Sequence, residues 1–366
     1  MICNLREGKS SREKMLYATL AFVIMILFLS GYGKIKQGNA IPIIGSALTL
    51  CIFSGLRDIS FGTDLLGYQS RFLGYVSYVD YADIIWQYKL GEIKDGLFYI
   101  IMKFFADCGF SYQLFIAIVT GFYIVTVAIL IAKHSPIPVI SFMMFMSLSW
   151  MQFSFTGLRQ AVAMGICVIA LMLLIENKRS ILAILCIIAA GYVHSSAWIF
   201  LIAPVIARLN FRIGKVLFSQ LTVASVALSI FGNDLFRVIV AAVSWNKTLA
   251  NYADSDITLN WTGFLIQLMF SAASYLLYDE TTKENEDMPL LYSLMAIGLG
   301  FQAFSSVVAE MFRISMYFSI ASVCVYPSAV MSINKSKRKL AYYTSIILLI
   351  AYFFIGNKYA MYVPIV

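Results

Sequence analysis

"SPIPVISFMMFMSLSWMQFSFTGLRQAVAMGICVIALMLLI", Ser135 to Ile175, decides the fold. Arg159 is its only charged side chain. A bilayer span needs about 20 mostly apolar residues, and this stretch holds enough for two. Porin-like strands would alternate polar and apolar residues, and these runs do not. A guanidinium at the bilayer centre costs roughly 2.5–3.5 kcal/mol and stays charged. A lone arginine that only snorkels to a headgroup needs no particular neighbours. Here Gly157, Ala161, Ala163 and Gly165 surround it, small residues that let helices approach closely.

The rest of the chain extends the same reading. Of 366 residues, 61% are hydrophobic and 13% charged, against about 45–50% and 25% in soluble domains. The fold class is an all-α polytopic integral membrane protein with roughly 12 transmembrane helices, about 11 to 14. The spans fall near 16–33, 40–56, 111–132, 136–155, 158–176, 180–193, 196–208, 211–231, 261–279, 289–309, 311–331 and 339–356. A further apolar piece at 96–110 is interrupted by Lys103 and Asp107 and reads as re-entrant or interfacial. Residues 1–14 form a polar tail and 15–366 one transmembrane domain, with polar extracytoplasmic segments at about 57–95 and 232–260. The first of these is rich in Tyr and Trp, as segments at the membrane–water boundary are.

The net charge of +8 sits in short loops, where it orients helices and does not signal nucleic acid. The six cysteines lack metal-ligand spacing, and there is no CxxC, HExxH, Walker loop or GxGxxG, so neither a metal nor a cofactor is expected. The N-terminal apolar run lacks the small-residue cleavage site of a removable signal. "NKSKRK" (334–339) is the most basic short loop and is placed in the cytoplasm. Counting back from it, Arg159, His194 and Arg313 fall on the outer side. If 96–110 does not cross, Arg57 joins them.

Four constellations could carry chemistry. In "SGLRDISFGTDLLGYQSRF" (54–72), Arg57 ends an apolar helix, Gly62 permits a turn, and Asp64 and Tyr68 stand four apart, on one face if helical. Asp64 could equally be a cap and dipole partner. In "TGLRQAVAMG" (156–165), Arg159 and Gln160 open a helix. In "AAGYVHSSAWIF" (189–200), one of only two histidines, His194, precedes a Ser-Ser pair; a lone histidine is more often a structural hydrogen-bonder than a catalyst. In "VVAEMFRISMYF" (307–318), Glu310, Arg313 and Tyr317 share a helical face, where an intrahelical ion pair is the bland alternative.

Taken in order, these motifs resemble the EpsG/Wzy-type polysaccharide polymerases of bacteria. The likeness runs from Arg57 through "FGTD" and Tyr68 to "DGLFYIIMKFF" (95–105), "FSYQLFIAI" (110–118), "GLRQAVA" (157–163) and "HSSA" (194–197), with a weaker echo at Arg313 and Tyr317. Asp95 departs from the pattern, since such proteins often carry Glu there. The resemblance implies joining of oligosaccharide units carried on undecaprenyl pyrophosphate, at the outer side of the plasma membrane, with the active site facing the periplasm or exterior. The implied partners are that lipid-linked oligosaccharide as donor and acceptor, the bilayer, a chain-length regulator and a flippase. Leaving pyrophosphate develops charge that fixed guanidinium groups stabilise. Arg159 is then catalytic, with Asp64 as the favoured base and His194 hydrogen-bonding the donor phosphate or acceptor sugar. Arg57, Tyr68, Asp95, Gln160, Glu310, Arg313 and Tyr317 are the implied substrate-binding set. Tyr68, Tyr75, Tyr78 and Trp86 could stack on sugars or anchor the interface. An O-antigen ligase-like transferase, a flippase and a non-catalytic scaffold are the competing readings.

Overall fold

The computed structural model describes residues 19–27, 40–62, 64–177, 180–242, 261–308 and 310–355. Every extended regular element among them is a helix. The chain divides into two compact units, one comprising residues up to Leu201 together with those from Leu340 onward, the other Ile202–Lys339.

In the first unit, helix Ile41–Gly55 shows why the surroundings are lipid. Ile41, Ile44, Leu48 and Ile52 form an apolar face that is more than half exposed, at steps of three and four residues. Ile43, Ala47, Leu50 and Phe53 on the other side are buried. An outward apolar stripe of this length is untenable in water and natural against acyl chains. Lys335–Ile355 repeats the pattern at Leu340, Tyr343 and Ile347.

Among the described residues, Tyr112–His134, Leu158–Glu176 and Lys335–Ile355 are long and apolar enough to cross a membrane. In the second unit, Met311–Ser319 and Ser322–Ser332, bent by 47°, make a fourth if taken as one span. The shorter apolar helices Ile41–Gly55, Pro138–Ser147, Ser180–Val193, Ser195–Leu209, Lys215–Phe231 and Met288–Phe304 fall on six of the remaining eight expected spans. Trp261–Leu276 lies on the span at 261–279, that at 16–33 is described only over 19–27, and the 1–14 tail lies outside the described residues. The sequence reading counts roughly 12 because hydropathy continues where the backbone breaks. After Pro138–Ser147, Ser149 adopts φ 76° and restarts the chain as Trp150–Phe153. Helix Lys215–Ala242 carries residues 232–242, which read as loop, and 243–260 lie outside the described residues.

Ion pairs and caps fix which helix ends meet in the first unit. Glu176 accepts from Lys133 at 2.9 Å and lies 3.3 Å from His134 Nε2. The C-termini of Tyr112–His134 and Leu158–Asn177 therefore share one end, and the stretch between them returns once. Close packing of these two helices depends on Gly165, where a Cβ would meet the Phe122 ring at 2.6 Å. At the opposite end, Gln113 Nε2 donates to the Gly55 and Arg57 carbonyls at 2.7 and 3.0 Å. Ser111 caps the same helix by accepting from Leu114 N, and Tyr112 Oη donates to Leu65 O at 2.7 Å.

Between these ends lies the polar segment. Leu65–Ser70, Arg71–Tyr75, Val76–Tyr78 and Tyr81–Lys89 are short helical pieces, followed by Gly96–Asp107. At 1.5 Å per residue Gly96–Asp107 is about 18 Å long, short of a hydrocarbon core of about 30 Å. Lys103, the polar interruption, is buried and donates to Asp107 at 2.9 Å and to Val76 O at 3.4 Å, which ties this helix to the interfacial pieces. Both flanks of Gly96–Asp107 thus lie at the end that carries Gly55, Ser111, Leu158 and Val193.

In the second unit, Tyr275 Oη donates to the carbonyls of Ile213 and Tyr292, and its ring stacks on Phe218 at 3.7 Å. This buried aromatic knot joins Lys215–Ala242, Trp261–Leu276 and Met288–Phe304.

Candidate active site

Asp95 is the hub. It adopts φ 61°, ψ 49°, a left-handed conformation that Asp tolerates better than most residues. It stands at the N-cap of Gly96–Asp107 but makes no side-chain cap there. Its carboxylate turns to three donors on other segments. Oδ2 accepts from Arg159 Nη1 at 2.8 Å and pairs with His194 Nδ1 at 3.0 Å. Oδ1 accepts from Ser195 N at 2.9 Å. Asp95 is buried, with a side chain 4% exposed, while the Arg159 and His194 side chains remain 26% and 17% exposed. Burial alone would raise the Asp95 pKa. The His194 hydrogen bond and charge, the Ser195 N–H and the Arg159 charge together outweigh it and hold the carboxyl below its ordinary value.

An ionised carboxylate only accepts hydrogen bonds, so His194 Nδ1 carries the proton that faces Asp95. In the neutral ring Nε2 is then the acceptor, the orientation a carboxylate–histidine pair imposes on a base. Arg159 also donates Nε to Tyr68 Oη at 3.1 Å, with its guanidinium 5.7 Å from the Tyr68 ring centroid. Tyr68 is buried against Phe98. Burial raises the Tyr68 pKa, opposed by the Arg159 charge, so the phenol stays protonated. With Nη1 and Nε so occupied, Nη2 is the edge Arg159 has left to offer. Arg159 also lines a cavity of about 490 Å³.

This explains how the chain tolerates a guanidinium in so apolar a stretch. Its charge is met by a buried carboxylate 64 residues away and its shape by a tyrosine 91 away. The small neighbour Gly165 acts differently: it lets its helix pack against the Phe122 ring.

The remaining predicted residues fall in other surroundings. Arg57 is wholly buried; its guanidinium donates to Ser54 O and Thr120 Oγ1 and lies 5.1 Å from the Phe155 ring centroid. Asp64 is exposed, and its backbone carbonyl accepts from Tyr68 N. Gln160 is buried, with Nε2 3.8 Å from Met164 Sδ. Glu310 and Arg313 are exposed and Tyr317 is buried, all three in the second unit. Gly62 has φ 147°, as a turn residue should. The Ser195 N–H and Gln113 escaped the sequence reading: a backbone donor has no side-chain signal, and a glutamine capping another helix looks like any interfacial polar residue.

A lipid-facing bundle of helices that gathers a carboxylate, an imidazole and a guanidinium at one end belongs to the class of integral membrane proteins with a built polar site. The model of the EpsG family matches residues 44–363, nearly the whole chain, and the protein belongs to that family. Membership supports a polysaccharide-polymerase-like role in general. No curated protein and no solved structure matches it.

Proposed function

We propose that this protein is a glycosyltransferase that joins oligosaccharide units carried on undecaprenyl pyrophosphate, at the outer side of the bacterial plasma membrane. The observation that carries the reading is the Asp95 hub, which holds His194 and Arg159 on one carboxylate, with Arg159 lining an open cavity. The acceptor sugar hydroxyl gives its proton to His194 Nε2 as its oxygen bonds to the donor's anomeric carbon. The bond from that carbon to the diphosphate breaks, and the lipid diphosphate leaves. Arg159 Nη2 stabilises the charge that grows on the leaving oxygen. Asp95 keeps His194 in the receiving tautomer and stabilises the imidazolium that forms. His194 fits the base role better than exposed Asp64, because the buried Asp95 carboxylate fixes the tautomer and aim of its ring. Asp64 remains a candidate contact for the acceptor.

The test is the saccharide made by cells with and without the gene. Loss of long chains with single units retained supports polymerisation. Loss of attachment to a different acceptor, with long chains intact, supports a ligase-like transferase instead. Failure of single units to reach the outer face supports a flippase. The outward-facing site rests on counting spans back from the basic 334–339 loop and is tested by thiol labelling.

A further inference from the structure

The helix that carries Tyr68 does not run regularly. Leu65–Ser70 is α-helical, Arg71–Tyr75 is a π-turn, and Val76–Tyr78 resumes the α-helix. A π-turn accommodates an extra residue, re-aims the side chains around it and is frequent at functional sites. Here the two residues that bracket it, Arg71 and Tyr75, both line the cavity that Arg159 borders. Across the opening stand Glu92 and Lys94, from the turn that leads into Asp95, and Tyr99 from Gly96–Asp107. The volume, about 490 Å³, falls in the roughly 300–1,000 Å³ range of small-molecule sites.

The walls are held in place. Tyr75 Oη bonds Gln87 Oε1 at 2.7 Å, and the Tyr75 ring meets Tyr99 edge-on at 5.8 Å. The Arg71 guanidinium lies 5.8 Å from the Tyr99 ring centroid. The charges do not balance. Arg159 is matched by Asp95. Arg71 and Lys94 form no ion pair among the described residues, and Glu92 is the one carboxylate in the lining, so two cations face one anion.

We infer that Arg71 and Lys94 form a cationic subsite for an oxyanion on the substrate, with Tyr75 and Tyr99 packing against the adjoining sugar ring. Calling that substrate a saccharide rests on the function proposed above; the oxyanion preference rests on the cavity. The shared chemistry is a phosphate or carboxylate that a guanidinium grips with two N–H groups while an ammonium adds a point charge. A phosphate of the diphosphate linkage and the carboxylate of an acidic sugar both satisfy it.

The experiment measures binding to the purified full-length protein in detergent. The probes are inorganic pyrophosphate, a glucuronate-containing disaccharide and its neutral counterpart. One charged probe binds, and which one identifies the source of the oxyanion; the neutral disaccharide binds about tenfold more weakly or not at all. R71Q and K94Q each weaken the bound probe by about tenfold, R71K by less, and E92Q tightens it. All three positions are at the surface, so the four variants fold, which the thermal midpoint checks. Failure of both charged probes to bind at about millimolar concentration overturns the subsite. So does binding that R71Q and K94Q leave unchanged. If binding is insensitive to those changes while gene loss still abolishes long chains, the subsite falls and the polymerase reading stands. If binding is sensitive but gene loss leaves the saccharide unaltered, the subsite stands and the polymerase reading falls.

Discussion

Replacing Asp95 with Asn removes one charge and almost nothing else. Asn tolerates the left-handed backbone as well as Asp does, so the N-terminus of Gly96–Asp107 survives. What changes is the hydrogen-bond count. Arg159 Nη1, His194 Nδ1 and Ser195 N all donate to the carboxylate. An amide offers one oxygen and one NH₂. With the oxygen toward Arg159 and His194, the NH₂ opposes the Ser195 N–H. With the oxygen toward Ser195, the NH₂ opposes Arg159 and turns His194 to the tautomer that cannot receive a proton at Nε2. A buried donor left unpaired costs about 1–3 kcal/mol. Removing the anion from a buried pair costs about 3–5 kcal/mol, and the lower end applies here because Arg159 is 26% exposed and keeps Tyr68. If about 3–4 kcal/mol of organisation is lost from the transition state, turnover falls by two to three powers of ten, at about 1.4 kcal/mol each. Chain extension by the purified variant on lipid-linked units, and the length of surface saccharide in complemented cells, both report this. Rates are compared per amount of protein in the membrane, because breaking the buried pair also lowers folded-state stability. Asp95→Asn retaining more than about a third of the wild-type rate, a shortfall under 1 kcal/mol, refutes the hub.

Arg159→Ala abolishes chain extension and Arg159→Lys restores little, since a lysine cannot hold Asp95 and Tyr68 and still offer a third nitrogen; wild-type extension by Arg159→Lys counts against it. His194→Gln loses nearly all turnover while Asp64→Asn keeps most; the reverse result makes Asp64 the base. The depressed Asp95 pKa means its contribution is complete above the unfolded value of about 3.9 and is lost only as pH falls through the lower folded value. Titration of the thermal midpoint from pH 7 downward checks this: a loss above about pH 5 that disappears in Asp95→Asn contradicts it. Gly191→Ala drives a Cβ to 2.4 Å from the Trp198 ring, displaces the Ser195–Leu201 turn and lowers stability by about 1–3 kcal/mol together with extension; unchanged melting and activity reject that packing. In a background without native thiols, Glu92→Cys reacts with an impermeant thiol reagent from outside and Ser336→Cys does not; the opposite pattern inverts the site.

How far this fold and site can be read from sequence depends on contrast. Arg159 stands out because nothing else in its stretch is charged, and His194 because the chain has one other histidine. Helix Leu158–Asn177 matches the span read at 158–176, because apolar length is a strong signal. The break at Ser149 is invisible by the same logic: hydropathy stays high while the backbone turns to φ 76°. Asp95 has no contrast. It sits among Glu92, Lys94 and other charges of a polar connection, so only the family likeness at "DGLFYIIMKFF" singles it out. Its left-handed backbone and its pairing with Arg159, His194 and the Ser195 N–H have no local sequence signature. Arg71 and Lys94 are hidden in the same way, each an ordinary surface cation until a π-turn and a tight turn bring them to one opening. Apolar positions are specified by their neighbours in sequence, whereas a buried carboxylate is specified by its neighbours in space. The stretch that decides the fold therefore announces the arginine, and only the folded chain reveals that Asp95 is the carboxylate that pairs with it.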